Sequence, residues 1–84
     1  MNTINWTRKA VKQLLKLHRP HQAQIRNAVT QLSAMPDVSN VKALTQHQHG
    51  YRLRAGQYRV LFDWASTIKI VSIQEVKKRD ERTY

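Results

Sequence analysis

Tyr51-Arg52-Leu53-Arg54-Ala55-Gly56-Gln57-Tyr58-Arg59 alternates apolar and cationic residues on both sides of a Gly-containing turn. Period-two alternation of this kind predicts a β-hairpin with one buried face. With Ala55-Gly56 as a two-residue turn, Leu53 lies opposite Tyr58 and Arg52 lies opposite Arg59. Like charges directly opposed across a sheet repel, and the stretch contains no acidic residue to relieve them. A sheet face that gathers Arg52, Arg54 and Arg59 therefore implies an anion supplied from elsewhere. A phosphate chain fits best, because the guanidinium fork bonds two oxygens at once and stays charged at any working pH.

The reading extends outward from the hairpin. Its strands are predicted near 50–55 and 57–63, and the run Val60-Leu61-Phe62 marks the second as central and covered on both faces. Ala65-Ser66 makes the next turn, and Thr67 to Val76, with Ile68, Ile70, Val71 and Ile73, forms a last strand. At the other end Thr3-Ile4-Asn5-Trp6 alternates as a short first strand. Thr7 offers a helix N-cap, with Trp6 placed to pack on Val11. Val11, Leu14, Leu15 and His18 define an amphipathic helix from Arg8 to about His18. Pro20 suits the first turn of a second helix, whose apolar stripe is Ile25, Ala28, Val29, Leu32 and Met35. Met35-Pro36-Asp37 ends it, since the residue before proline resists the α conformation. Residues 37–49 read as an irregular polar loop anchored by Val41 and Leu44.

The order is β-α-α-β-β-β within a single domain spanning 1–84, of the α+β class. Three strands joined by short turns make an antiparallel meander. The helical hairpin covers one sheet face. The other face is then free to carry the arginines.

Lys and Arg outnumber Asp and Glu 15 to 5 in 84 residues, a formal net charge of +10. So strong a field on so small a body favours a polyanionic partner. The absence of cysteine excludes disulfides and thiolate metal sites and suits a reducing cytoplasm. No apolar run has the length of a signal peptide or a membrane span, so the expectation is a soluble cytoplasmic protein without a membrane partner.

Familiar catalytic constellations are absent: no cysteine nucleophile, no Gly-rich phosphate loop, no well-spaced carboxylate pair. Glu75, Asp80 and Glu81 sit among cations and read as charge partners. His47 and His49, two apart, lack a third ligand nearby, so a solvated loop is the expectation and no metal or other cofactor is predicted. His18 and His21 flank a helix turn, where a cation would favour the C-terminal dipole. What remains is the arginine face and the tail Lys77-Lys78-Arg79-Asp80-Glu81-Arg82-Thr83-Tyr84. Several guanidiniums around one phosphate would stabilise the extra charge of a pentacovalent transition state. That permits RNA cleavage without a metal, in which the ribose 2′-OH attacks its own neighbouring phosphate. Tyr84 could take one proton-transfer role if cations lower its pKa. The pattern alone leaves open both a cleaving face and a passive binding face.

The hairpin, the later Ile-rich strand and the terminal Lys78-Arg79-Asp80-Glu81-Arg82-Thr83-Tyr84 together resemble the RelE/ParE toxin superfamily, and the element order agrees. The RelE branch, which cuts messenger RNA in the ribosomal A site and so inhibits translation, is the nearest match. By that resemblance Arg52 and Arg54 correspond to two basic residues on a strand, often lysines in the family. Arg59 corresponds to an arginine on the scissile phosphate, and Arg79 to the arginine after the last strand, with Lys78 one residue away. Tyr84 corresponds to a C-terminal tyrosine that stacks on a base or assists the 2′-OH. These five, Arg52, Arg54, Arg59, Arg79 and Tyr84, are the catalytic candidates; Lys77, Lys78 and Arg82 are the RNA-binding ones. The resemblance implies a type II toxin partnered by a cognate antitoxin, with the ribosome and messenger RNA as targets and room for a higher-order toxin–antitoxin complex. A DNA gyrase inhibitor of the ParE type, without nuclease activity, is the alternative on the same fold. The chain departs from the pattern in having arginine where lysine is usual, and arginine is a poor general base. The interval from Arg79 to Tyr84 is also one residue short.

Overall fold

The computed structural model describes residues 1–79. Chain order is β1 (Thr3–Trp6), α1 (Arg8–Leu15), α2 (Arg19–Thr30), a 3-10 turn (Gln31–Ala34), β2 (Val41–Ala43), β3 (Tyr51–Ala55), β4 (Tyr58–Ala65) and β5 (Ile70–Lys78). The strands form one five-stranded sheet in the order β1-β5-β4-β3-β2. β1 runs parallel to β5, and every other pairing is antiparallel. Two helices on one face of a mixed sheet make the α+β architecture expected from the sequence.

The core lies between the helices and the sheet. Leu53, Ala55, Tyr58, Val60 and Phe62 from the hairpin meet Ala10, Leu14, Ile25, Val29 and Leu32 from the helical side. Phe62, Ile25, Leu32, Leu53 and Ile73 are the largest fully buried side chains. Thr7 caps α1 as its sequence position requires, its hydroxyl accepting from the Ala10 amide at 3.2 Å. The apolar stripe Ile25, Val29, Leu32 and Met35 is buried as its spacing predicts, but α2 ends at Thr30: Leu32 lies in the 3-10 turn and Met35 caps it.

Several local expectations are corrected. Residues 41–43 are not irregular; they form β2, a short edge strand paired with Tyr51–Leu53. The hairpin turn is Gly56-Gln57 rather than Ala55-Gly56. Gly56 takes φ +60°, which glycine adopts at little cost, and Ala55 stays in the sheet with its methyl in the core. Arg54, not Arg52, therefore faces Arg59, and Arg52 pairs with Leu61. α1 stops at Leu15 and buries Ala10 and Leu14, leaving Val11 37% and Leu15 63% exposed. The small side chain of Ala10, fully buried, lets the helix lie close to the sheet on that edge. His18 is the N-cap position of α2, without a side-chain capping bond, and His21 lies in its first turn. Neither sits at a helix C-terminus, so the dipole offers no attraction for a cation there; His21 Nδ1 instead meets the Tyr58 hydroxyl at 2.8 Å. The last strand begins later than expected, at Ile70, because Lys69 adopts φ +57° and Ile68 remains in the turn, 65% exposed.

One irregularity sets the faces of β5. Leu61 pairs with Glu75 but Phe62 pairs with Ile73, so Gln74 is an extra residue in a bulge. Before it, Val71 and Ile73 point to the helices; after it, Val76 does. Glu75 and Lys77 are thereby turned to the opposite side. α1 supports the bulge where β1 ends. The Thr7 hydroxyl donates to the Gln74 carbonyl at 3.3 Å, and the Val76 amide donates to Gln13 Oε1 at 2.7 Å.

Deleting Gln74 should leave a protein that still unfolds cooperatively in urea, because the strand without its extra residue alternates regularly and keeps Glu75 and Lys77 facing away from the helices. Gln74→Ala keeps the residue count and should stay within about 1 kcal/mol of the parent. Loss of cooperative unfolding on deletion would show that Gln74 is not merely the extra residue of a bulge.

Candidate functional site

Side chains on the face away from the helices come from alternate positions: Arg52 and Arg54 on β3, Arg59 and Leu61 on β4, Glu75 and Lys77 on β5. The segment 44–50 folds back over this face and is closed by the Leu44 amide donating to the Gly50 carbonyl at 2.8 Å. Between segment and sheet lies a cleft of about 110 Å³, lined by Leu44, His47, Arg52, Arg59, Leu61 and Lys77. Leu61 is only 5% exposed although it faces away from the helices, so it belongs to the cleft floor.

The cations act on one another. The guanidinium of Arg59 lies below its ordinary pKa, first because burial penalises its charge and then because Arg52 and Arg79 add positive potential. Arg79 follows the end of β5 and extends the sheet, its amide donating to the Gln57 carbonyl at 2.7 Å. Arg52, Arg59 and Arg79 are thus close enough to sense each other's charge. Arg54 shares their face, opposite Arg59, but is exposed and stands outside the cleft lining. Lys77 pairs with Arg59 and joins the cleft. Lys78 pairs with core Tyr58 and so lies on the helical side, away from the cleft. Arg82 and Tyr84 lie outside the described residues.

The sequence expectation for the histidines is half corrected. His47 is exposed, but His49 is 9% exposed and wedged between two strands. Its Nδ1 lies 3.3 Å from Asp63 Oδ2 on β4, and its Nε2 lies 3.4 Å from Glu75 Oε2 on β5. Asp63 also accepts from the Gly50 amide at 2.8 Å. Glu75 reaches Lys9 Nζ at 2.9 Å and Lys77 Nζ at 3.8 Å. Its carboxyl is held below the usual range, chiefly by the hydrogen bond from Lys9 and further by the charges of Lys77, Lys9 and His49, against an opposing effect of burial. This network pins the cleft wall to the sheet. Sequence spacing gives no hint of it, because the partners are 14 and 26 positions from His49. Among the described residues no group of three or more His, Cys, Asp or Glu side chains is arranged to hold a metal ion. No described helix is long and apolar enough to cross a membrane.

Residues 4–82 match the family described as ParE toxin of type II toxin-antitoxin system, parDE, and the chain belongs to that family, within the RelE/ParE superfamily. No curated protein matches it in sequence. Among solved structures, a chain of the toxin–antitoxin complex RelBE2 from Mycobacterium tuberculosis is 28% identical with a TM-score of 0.81, over 93% of this chain and 98% of that one. A chain of the archaeal RelE–RelB complex from Pyrococcus horikoshii OT3 is 24% identical with a TM-score of 0.79, over 95% and 97% of the two chains. The isolated RelE toxin of E. coli shares the fold at 20% identity and a TM-score of 0.76, over 99% and 92%. By structure this is a type II toxin of RelE type.

Glu75→Gln should cost about 1–3 kcal/mol in urea unfolding near neutral pH, as a buried, charge-assisted hydrogen-bonding group is lost. A carboxyl whose folded-state pKa is depressed contributes stability above its unfolded pKa, and that contribution disappears as pH falls through the folded value. The difference between parent and variant should therefore shrink on acidification below about pH 4. A difference that persists unchanged into acid would show that packing, not charge, accounts for the effect of Glu75.

Proposed function

We propose that this type II toxin is a ribosome-dependent endoribonuclease that cuts messenger RNA in the A site in the cytoplasm and so arrests translation. The observation that carries the reading is the cleft on the free face of the sheet, where Arg52, Arg59 and Lys77 converge and where Arg79 adds its charge to the field at Arg59. In the proposed reaction the 2′-hydroxyl loses its proton to a base as its oxygen attacks the adjacent phosphorus. The bond from phosphorus to the 5′-oxygen breaks, and the departing oxygen takes a proton. The products are a 2′,3′-cyclic phosphate and a free 5′-hydroxyl. Guanidiniums already fixed around the phosphate stabilise the charge that grows in the transition state. Arg59 is the central stabiliser, because it lines the cleft from the middle strand of the sheet, beside Lys77, and senses the charges of Arg52 and Arg79. Arg52 and Arg79 flank it, Arg54 and Lys77 guide the RNA backbone, and Tyr84 is assigned to the base or the 2′-OH. The partner is a cognate antitoxin, in keeping with the similarity to chains of toxin–antitoxin complexes.

The gyrase-inhibitor alternative shares the fold and the family name but gives the cationic cleft no role. A supercoiling assay with purified gyrase separates the two, and no inhibition is expected at stoichiometric toxin.

Primer extension on messenger RNA in a translating extract should reveal new 5′ ends inside codons. Arg59→Ala should lower that cleavage about 10²–10³-fold, the scale of losing one preorganised charge stabiliser. Intact message with the parent protein would overturn the nuclease assignment, and an effect of Arg59→Ala below about threefold would remove Arg59 from the catalytic set.

A further inference from the structure

We infer that His47 is a further substrate-contacting residue of the cleft, a neutral imidazole that donates a hydrogen bond from Nε2–H to a phosphate oxygen of bound RNA. The inference rests on the nucleic-acid reading of the cleft and adds to it a residue of different chemistry.

His47 is exposed and lines the cleft together with Arg52, Arg59 and Lys77. Among the lining residues it alone is polar without carrying an obligatory charge. Its Nδ1 accepts the backbone amide of His49 at 3.0 Å. A backbone N–H can only donate, so Nδ1 must offer its lone pair, and the proton of the neutral ring then sits on Nε2. The ring in this arrangement is a donor on its free edge and cannot serve there as a base.

The tautomer is built in rather than incidental. The amide that fixes it belongs to His49, whose own ring is held against Asp63 on β4 and Glu75 on β5. Asp63 also takes the Gly50 amide, and Leu44 and Gly50 close the segment. His47 is therefore presented by a wall tied to the two central strands that carry Arg59 and Lys77. A donor on a wall so fixed costs little to order when an anion arrives, which is the condition under which one hydrogen bond contributes most.

The test is binding of a short single-stranded RNA oligonucleotide, read by fluorescence anisotropy over a range of salt, with the folded full chain. His47→Ala should weaken binding about 10- to 100-fold, the range for a hydrogen bond to a charged group. Its log–log salt slope should match the parent's, because no cation is removed. Arg52→Ala should flatten that slope by about 0.7. His47→Gln, which carries an N–H donor at nearly the reach of Nε2, should recover most of the lost affinity. Binding by His47→Ala within about twofold of the parent would overturn the inference, since such a change is too small for a hydrogen bond to phosphate. A slope flattened as in Arg52→Ala would overturn it too, by showing the ring to be charged. Should His47→Ala fail to fold, His47→Gln together with imidazole ¹⁵N shifts decides the matter: a Nδ1–H tautomer in the parent would refute the donor role. Cleavage in the translating extract is read separately. A parent protein that binds but does not cut removes the nuclease assignment, while the binding result still decides His47.

Discussion

A single extra residue in the last strand determines which side of the sheet is basic. With Gln74 bulged out, Val76 enters the core and Glu75 and Lys77 face away from the helices. Without that shift, the strand would carry the same alternation from Val71 to Lys77 and would drive two charges into the space between sheet and helices. The bulge is held by α1 rather than by another strand: Thr7 and Gln13 satisfy the backbone of residues 74 and 76 beyond the end of β1. Capping of α1, termination of β1 and the polarity of β5 are thus one structural event. The cationic face exists because the first helix starts where the first strand stops.

The second constraint is where the few acids go. With 15 basic and five acidic side chains, every carboxylate has a choice of partners. Asp63 and Glu75, both on the cleft side of the sheet, are engaged by His49, and Glu75 by Lys9 and Lys77 as well. Tying the 44–50 segment to the sheet uses up carboxylates that would otherwise lie beside the arginines. The positive potential that lowers the Arg59 pKa therefore coexists with a well-anchored wall. Stability and affinity for an anion are met by different residues on the same face.

The sequence made the large features legible because they are periodic. Alternation in 51–59 identified the hairpin and its cationic face, and the i, i+3, i+4 stripe of α2 identified its buried side. The hairpin register differs by one residue from the one alternation suggests, since a Gly-containing turn does not say which turn position the glycine occupies. β2 was hidden because three residues at an exposed edge need no apolar pattern. The buried side of α1 differs from its apparent stripe because Ala10 carries little hydrophobic signal, yet its size is what allows the close approach. The His49 network was invisible for another reason. It joins a loop to two strands through polar contacts, and nothing in local spacing encodes which loop folds over which face.

Arginine at positions 52 and 59 has a consequence for any reaction in this cleft. A guanidinium holds a phosphate with correct geometry but does not exchange protons near neutrality. Cleavage by the 2′-OH needs a proton removed from one oxygen and another delivered to the leaving oxygen. His47, held with its lone pair on the His49 amide, does not accept a proton in this arrangement either. The cleft is therefore organised to bind a phosphate and stabilise charge, while proton movement must come from a group that the arginines and His47 do not provide. In the proposed reaction that leaves Tyr84, the Lys77 ammonium or a group of the target itself to move the protons.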